Sequence, residues 1–225
     1  MTNQSLSVDC IIFDMDGLLT DTEEVCCLAY TTALKELGYT LNRSDYLPLL
    51  GRDAAFADRY IEKMFPGIDI NGFNNRLAEL QNKIICDRGP DILKPGAAEI
   101  LNLADVMGIK KAVASSNSQK NVIRTLTAAG IVERFDTLVF DTMAKRAKPF
   151  PDLFSAASRL THTAPENCLV LEDSFAGVRA AEAAEMRVII VPDMLTPSDD
   201  ITKKCVRCCS SLFGAMDYIT SVNQK

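Results

Sequence analysis

The sequence has no excess of positive charge, no apolar run of membrane-spanning length, no internal repeat and a single histidine. Each absence removes a class of protein. Lys and Arg number 24 against 30 Asp and Glu, a net charge of -6, so the basic stripe of a nucleic-acid binder is missing. An anionic small molecule stays open as a partner, provided the site itself brings a cation. A bilayer-spanning helix needs about 20 consecutive apolar residues, and no run approaches that. Without repeats or low-complexity tracts, neither a solenoid nor a disordered chain fits. No charged n-region followed by an apolar h-region is readable, so a cytoplasmic chain is expected. Its eight cysteines (Cys10, Cys26, Cys27, Cys86, Cys168, Cys205, Cys208 and Cys209) then read as free thiols. A monomer or weak homodimer is the expected state.

What is present suits a packed α/β domain. The chain is 48% hydrophobic and 24% charged over 225 residues, enough to bury a large core. Five short apolar runs read as buried parallel strands: Val8 to Phe13, Lys110 to Ala114, Thr137 to Phe140, Cys168 to Leu171 and Arg187 to Val191. Cys10 and Cys168 lie inside such runs, where cysteine acts as a small core hydrophobe. Helical patterns fill the intervals, over Ala97 to Met107, Gln119 to Ala129, Pro151 to Leu160 and Phe175 to Ala184. Alternation of this kind implies a doubly wound parallel sheet, a Rossmann-like core. From about Thr22 to Gly89 the alternation stops. Val25, Leu28, Ala29, Ala33, Leu34 and Leu37 recur at helical spacing, and Pro48, Pro66-Gly67 and Gly72 divide the stretch. The expectation is an all-helical insert over 20–90, following the first strand and lying above the sheet's carboxyl edge, with the core built from 1–19 and 91–225.

Polar residues collect at the strand ends. The first strand runs into Asp14-Met15-Asp16-Gly17, the second into Ser115-Ser116-Asn117, and the fourth into Glu172-Asp173-Ser174; Lys148-Pro149 follows the third. Open α/β sheets bind ligands at the carboxyl ends of their strands, so all four groups belong to one edge. Singly, the serines read as helix caps and Lys148 as a loop lysine. Together they supply what phosphoryl transfer needs: a nucleophile, a metal site, donors for the phosphoryl oxygens and a fixed cation. Gly17 lets the chain turn sharply and approach a ligand.

Those segments, Phe13 to Thr22 (FDMDGLLTDT), Val113 to Asn117 (VASSN), Lys148 to Asp152 (KPFPD) and Leu171 to Gly177 (LEDSFAG), resemble the haloacid dehalogenase superfamily. The resemblance, from about Val8 to Pro192, is to its phosphatase and phosphomutase branch with a helical cap. It implies a Mg²⁺-dependent phosphatase acting on a small organic phosphate monoester, a sugar, nucleotide or related phosphate, through an aspartyl phosphate. By the same resemblance Asp14 is the nucleophile and Asp16 the general acid and then base. Ser115 holds a phosphoryl oxygen, with Gly17, Ser116 and Asn117 around the phosphate. Lys148 neutralises charge, and Asp14, Asp16, Asp173 and Glu172 bind the metal. The insert becomes a mobile cap hinged at Leu19 to Thr22 and Leu93 to Gly96. Arg52 is its candidate substrate contact, with Arg76 and Lys83 behind it.

A phosphosugar mutase like β-phosphoglucomutase shares this apparatus but carries a histidine about four residues after the threonine at Thr22. Cys26 holds that place here, and His162 lies far from the motifs. A dehalogenase needs no second acid, yet Asp16 is present. A catalytically silent binding protein would lack a motif residue, and none is missing. Cys205-x2-Cys208-Cys209 has the outline of a zinc half-site, but zinc needs four ligands and no second pair exists.

Overall fold

The computed structural model describes residues 7–224. Six parallel strands form one sheet in the order β3-β2-β1-β4-β5-β6. They are β1 (Cys10–Phe13), β2 (Lys110–Ala114), β3 (Thr137–Val139), β4 (Cys168–Glu172), β5 (Arg187–Ile190) and β6 (Arg207–Cys208). The five expected strands appear to within about two residues at each end, and β6 is additional. β1, β4 and most of β5 are buried on both faces, which is why they read as continuous apolar runs and not as alternation.

Cys10, Ile12, Ala112, Cys168, Val170, Val188 and Ile190 share one buried face with Leu153, Phe154 and Ala157 of α7 (Asp152–Leu160) and Val178 and Ala181 of α8 (Phe175–Ala183). The alternate residues Ile11, Phe13, Val113, Leu169, Leu171 and Ile189 are equally buried and point the other way. On that side α5 (Ala97–Met107) packs on β2 and on α10 (Leu212–Asn223). Each fully buried side chain of this size contributes about 1.5–3 kcal/mol relative to exposure. α6 (Gln119–Ala128) follows β2, capped by the Ser118 side chain, and a short α9 (Asp199–Thr202) precedes β6.

The chain divides into two compact units, residues 1–20 with 93–225, and residues 21–92. The second unit is helical: α1 (Thr22–Glu36), α2 (Arg43–Tyr46), α3 (Ala54–Met64) and α4 (Ile70–Arg88). α1 packs along α4, whose Phe73, Leu77, Leu80 and Ile85 are buried, and the Tyr30 ring lies 5.5 Å from Tyr46 and 5.6 Å from Phe73. Asp53 and Asp69 cap α3 and α4 by accepting from Phe56 N (2.7 Å) and Gly72 N (3.2 Å), satisfying donors the helix start leaves open. In the first unit, the points where the chain leaves and returns are paired: Thr20 and Leu93 form an antiparallel bridge, and Lys94 N donates to Leu19 O at 2.9 Å.

Among the described residues no helix is long and apolar enough to cross a membrane. Cys10 and Cys168 are fully buried register partners across β1 and β4.

Candidate active site

Register builds the site. Phe13 pairs with Val113 on β2 and with Leu171 on β4, so the next level of the sheet holds Asp14, Ala114 and Glu172 side by side. Asp14 N donates to Leu171 O at 3.0 Å and extends that pairing one step past β1. Lys148, from the loop between β3 and α7, spans the whole level. Its Nζ donates to Asp14 Oδ1, to Glu172 Oε1 at 2.6 Å and to Ala114 O at 3.2 Å, which uses all three ammonium donors. The lysine side chain is 7% exposed and Glu172 is fully buried.

Charge is out of balance at this level. Burial pushes the Asp14 carboxyl up to about 8; the Lys148 charge opposes the rise, and Glu172 and Asp16 add to it. For Lys148, burial alone would favour the neutral amine, but Asp14 and Glu172 outweigh it and hold the group above the ordinary lysine value. The lysine is therefore a fixed cation, and one cation does not offset the surrounding carboxylates.

Asp16 stands in different surroundings. Its carboxylate accepts from Asn117 Nδ2 at 2.9 Å and Ser115 Oγ at 3.3 Å, and Ser115 Oγ in turn accepts from Asn117 N at 3.1 Å. A tight turn presents it: Leu19 N and Thr20 N both donate to Met15 O at 3.0 Å, and Gly17 N donates to Thr20 O at 2.8 Å. Gly17 has φ +78, and a Cβ there would strike Asp173 Oδ2. Only glycine fits on both counts.

Glu172 is occupied on both oxygens. Beside Lys148, it accepts from Asp173 N (3.0 Å), Ser174 N (2.9 Å) and Ser174 Oγ (2.9 Å). Ser174 caps α8 by accepting from Gly177 N at 3.0 Å. As it stands, Glu172 ties the lysine to the turn that carries Asp173.

The fold thus brings Asp14, Asp16, Gly17, Ser115, Asn117, Lys148, Glu172 and Asp173 to one edge. Ser116 is exposed beside them. Arg52, Arg76 and Lys83 belong to the helical unit. Arg52 lies over the Phe56 ring at 4.8 Å, Arg76 pairs with Glu36 and Glu79, and Lys83 pairs with Asp87. Cys26 accepts from Gln81 Nε2 at 3.3 Å, and His162 is exposed in the α7–β4 loop. Cys205, Cys208 and Cys209 are respectively half-buried, exposed and buried. Among the described residues, no three His, Cys, Asp or Glu side chains make a metal cage.

Two groups at this edge lie outside the four motifs. Lys94 Nζ reaches Asp193 Oδ1 at 2.5 Å, and a Cβ on Gly17 would lie 3.3 Å from Asp193 Oδ2. The only hint was that Asp193 follows a strand end, as the other acidic groups do.

Residues 11–191 match the family described as "Haloacid dehalogenase-like hydrolase". The chain is 28% identical over 180 residues to the phosphorylated carbohydrates phosphatase of Thermotoga maritima, covering 79% of this chain and 82% of that protein. It is 28% identical over 185 residues to the β-phosphoglucomutase of Bacillus subtilis, covering 78% and 80%. With the chloroplastic protein SUPPRESSOR OF QUENCHING 1 of Arabidopsis thaliana it shares 33% identity over 192 residues, but spans only 18% of that protein's length. The crystal structure of CbbY from Rhodobacter sphaeroides in complex with phosphate superimposes with a TM-score of 0.71 at 28% identity, over 91% of this chain and 94% of that one. With the family's description covering most of the chain, and a sheet edge built as described, this protein belongs to the haloacid dehalogenase-like hydrolases.

Proposed function

We propose that the chain is a Mg²⁺-dependent phosphatase that hydrolyses a small organic phosphate monoester through an aspartyl phosphate on Asp14. The observation that carries this is the contrast between two carboxylates two residues apart. Asp14 is fixed by an ammonium, and Asp16 by two neutral donors, Ser115 and Asn117. Paired acids in unlike surroundings suit unlike roles. Asp14 attacks phosphorus as a carboxylate while the ester P–O bond breaks, and Asp16 gives its proton to the departing alkoxide. Asp16, now ionised, takes a proton from water; that water attacks the acyl phosphate, releases inorganic phosphate and regenerates Asp14. Lys148 offsets charge on Asp14 and on the transferring group throughout. Ser115, with Ser116, Asn117 and the Gly17 turn, lies where phosphoryl oxygens need donors.

The donor set fits a hard cation. Asp14, the Asp16 carbonyl and Asp173 offer oxygen ligands at the ends of adjacent strands, and Asp14, raised by burial and then by the neighbouring carboxylates, calls for added positive charge. When bound there, Mg²⁺ would stabilise negative charge and keep Asp14 ionised. Glu172 would serve the site by holding Lys148. In this reading residues 1–19 and 91–225 are the catalytic core and residues 20–90 the cap.

The name of the Thermotoga maritima relative supports phosphorylated carbohydrates as the first substrate class to try. Cys26, in place of the mutase histidine, favours hydrolysis over phosphoryl transfer between sugar positions. Purified protein with Mg²⁺ and p-nitrophenyl phosphate, then a panel of sugar, nucleotide and polyol phosphates, tests the proposal. Release of phosphate abolished by EDTA and by Asp14→Asn is expected. Turnover that survives either treatment would overturn it, and conversion of a hexose 1-phosphate to its 6-phosphate would favour the mutase.

A further inference from the structure

Asp193 sits just beyond the carboxyl end of β5, next to the strand that carries Asp173. Val191 N still donates to Glu172 O at 2.7 Å, so the chain is sheet-paired until two residues before it. Its side chain is 12% exposed. Oδ1 is pinned by Lys94, whose own backbone is fastened to Leu19 O at 2.9 Å. Oδ2 is buried and, among the described residues, has no hydrogen-bond partner. It crowds the same point over Gly17 as Asp173 Oδ2. A buried carboxylate oxygen without a donor is costly, and a second carboxylate beside it raises that cost. Lys94 keeps the group from turning towards solvent.

We infer that Asp193 is a positioning residue for the divalent cation: its Oδ2 accepts a hydrogen bond from the hydration shell of the Mg²⁺ held through Asp173. This rests on the metal-dependent reading above. Magnesium keeps several of its waters when protein-bound, and those waters need acceptors in fixed places. Partners one layer out from a metal typically contribute 10–100-fold in affinity. Asp193 meets the chemical requirement for such a partner, as an anionic acceptor immobilised by its other oxygen and placed beside a proposed ligand.

The test is direct binding of Mn²⁺, a spectroscopically visible stand-in for Mg²⁺, to the full chain without substrate, followed by electron paramagnetic resonance. Asp193→Asn keeps the shape but puts an amide donor where the acceptor stood, and Asp193→Ser serves if the asparagine variant does not fold. The dissociation constant should rise about 10–100-fold. The Mg²⁺ concentration for half-maximal turnover should rise in step, and kcat at saturating metal should fall less than the affinity does. Lys94→Met leaves the acceptor in place but loosens it, and should weaken Mn²⁺ binding by less than the Asp193 variants do. Wild-type affinity in the Asp193 variants would overturn the inference, as would equal weakening by Lys94→Met, which marks a merely structural role. Binding lost in Asp173→Asn but kept in Asp193→Asn sinks this inference alone. A wild-type chain that binds no Mn²⁺ sinks the metal reading with it.

Discussion

Gly177→Ala separates local helix preference from the needs of the site. Gly177 lies in the first turn of α8 and has no positive φ, so by propensity alone alanine should stabilise it by about 0.5–1 kcal/mol. The position of Glu172 reverses the sign. A Cβ on Gly177 would fall within the Glu172 carboxylate. A long side chain could usually step aside, but this one is fully buried, bonded to Lys148 and to three donors of the Asp173–Ser174 turn. Moving it forfeits hydrogen bonds to a charged group, about 1.5–3 kcal/mol each, and loosens a buried ion pair whose rupture costs about 3–5 kcal/mol. Partial repair and the helix gain reduce the total, leaving a net destabilisation of roughly 2–4 kcal/mol. For a chain of this size that lowers the melting temperature by roughly 5–15 °C. Urea unfolding gives the stability, and p-nitrophenyl phosphate turnover gives the site. Lys148 loses its second anchor, so turnover should fall more steeply than the folded fraction does. In a Glu172→Ala background, Gly177→Ala should cost little, because the clash is gone. A Gly177→Ala protein as stable and active as wild type, or full additivity in the double variant, would refute the reasoning.

Asp14→Asn should form no phosphoenzyme with any ester. Asp16→Asn should lose about 10²–10⁴-fold on alkyl phosphates and less on aryl esters, whose leaving groups need less protonation. Rapid-quench trapping with labelled substrate checks both, and equal losses on the two ester classes would reassign Asp16. Asn117→Ala removes a 2.9 Å donor to Asp16. It should cost roughly 10–100-fold in kcat on alkyl esters, the equivalent of one hydrogen bond to a charged group, with phosphoenzyme formation from aryl esters largely kept. In the metal-free protein, Asp14 titrates near 8 when folded, against an ordinary value of 3.8, so the folded state binds the extra proton between those values. Stability without Mg²⁺ should therefore fall as pH rises from about 4 towards 8, and Asp14→Asn should flatten that slope in chelated denaturation curves.

The strands were legible because burial on both faces leaves little choice of residue. β1, β4 and β5 read as apolar runs, and their polar ends marked the site. β6 is two exposed residues, Arg207–Cys208, too short for any periodic signal, and its cysteine invited a zinc reading instead. α10 was missed because Gly214, Ile219, Thr220 and Val222 weaken the helical signal; packing on α5 overrides propensity there. Residue types at the site followed from the motifs, but partnerships did not. The bond from Asn117 to Asp16 crosses 101 positions and that from Lys94 to Asp193 crosses 99. Such pairs exist only once strand order is known. Glu172 shows the same limit, since its motif gives no sign of its four hydrogen bonds to Lys148 and the following turn.

The bridge between Thr20 and Leu93 closes the sheet unit on itself where the helical unit begins and ends. An insertion whose two ends already touch imposes no stretch and no register on its host. Loop-closure cost grows only logarithmically with length, so a host of this design tolerates inserts of very different size at nearly the same stability. Lineages can therefore exchange, enlarge or shorten this segment while the reacting carboxylates keep their strand positions. With the insert read as the proposed cap, chemistry and choice of substrate can then evolve on separate stretches of one chain.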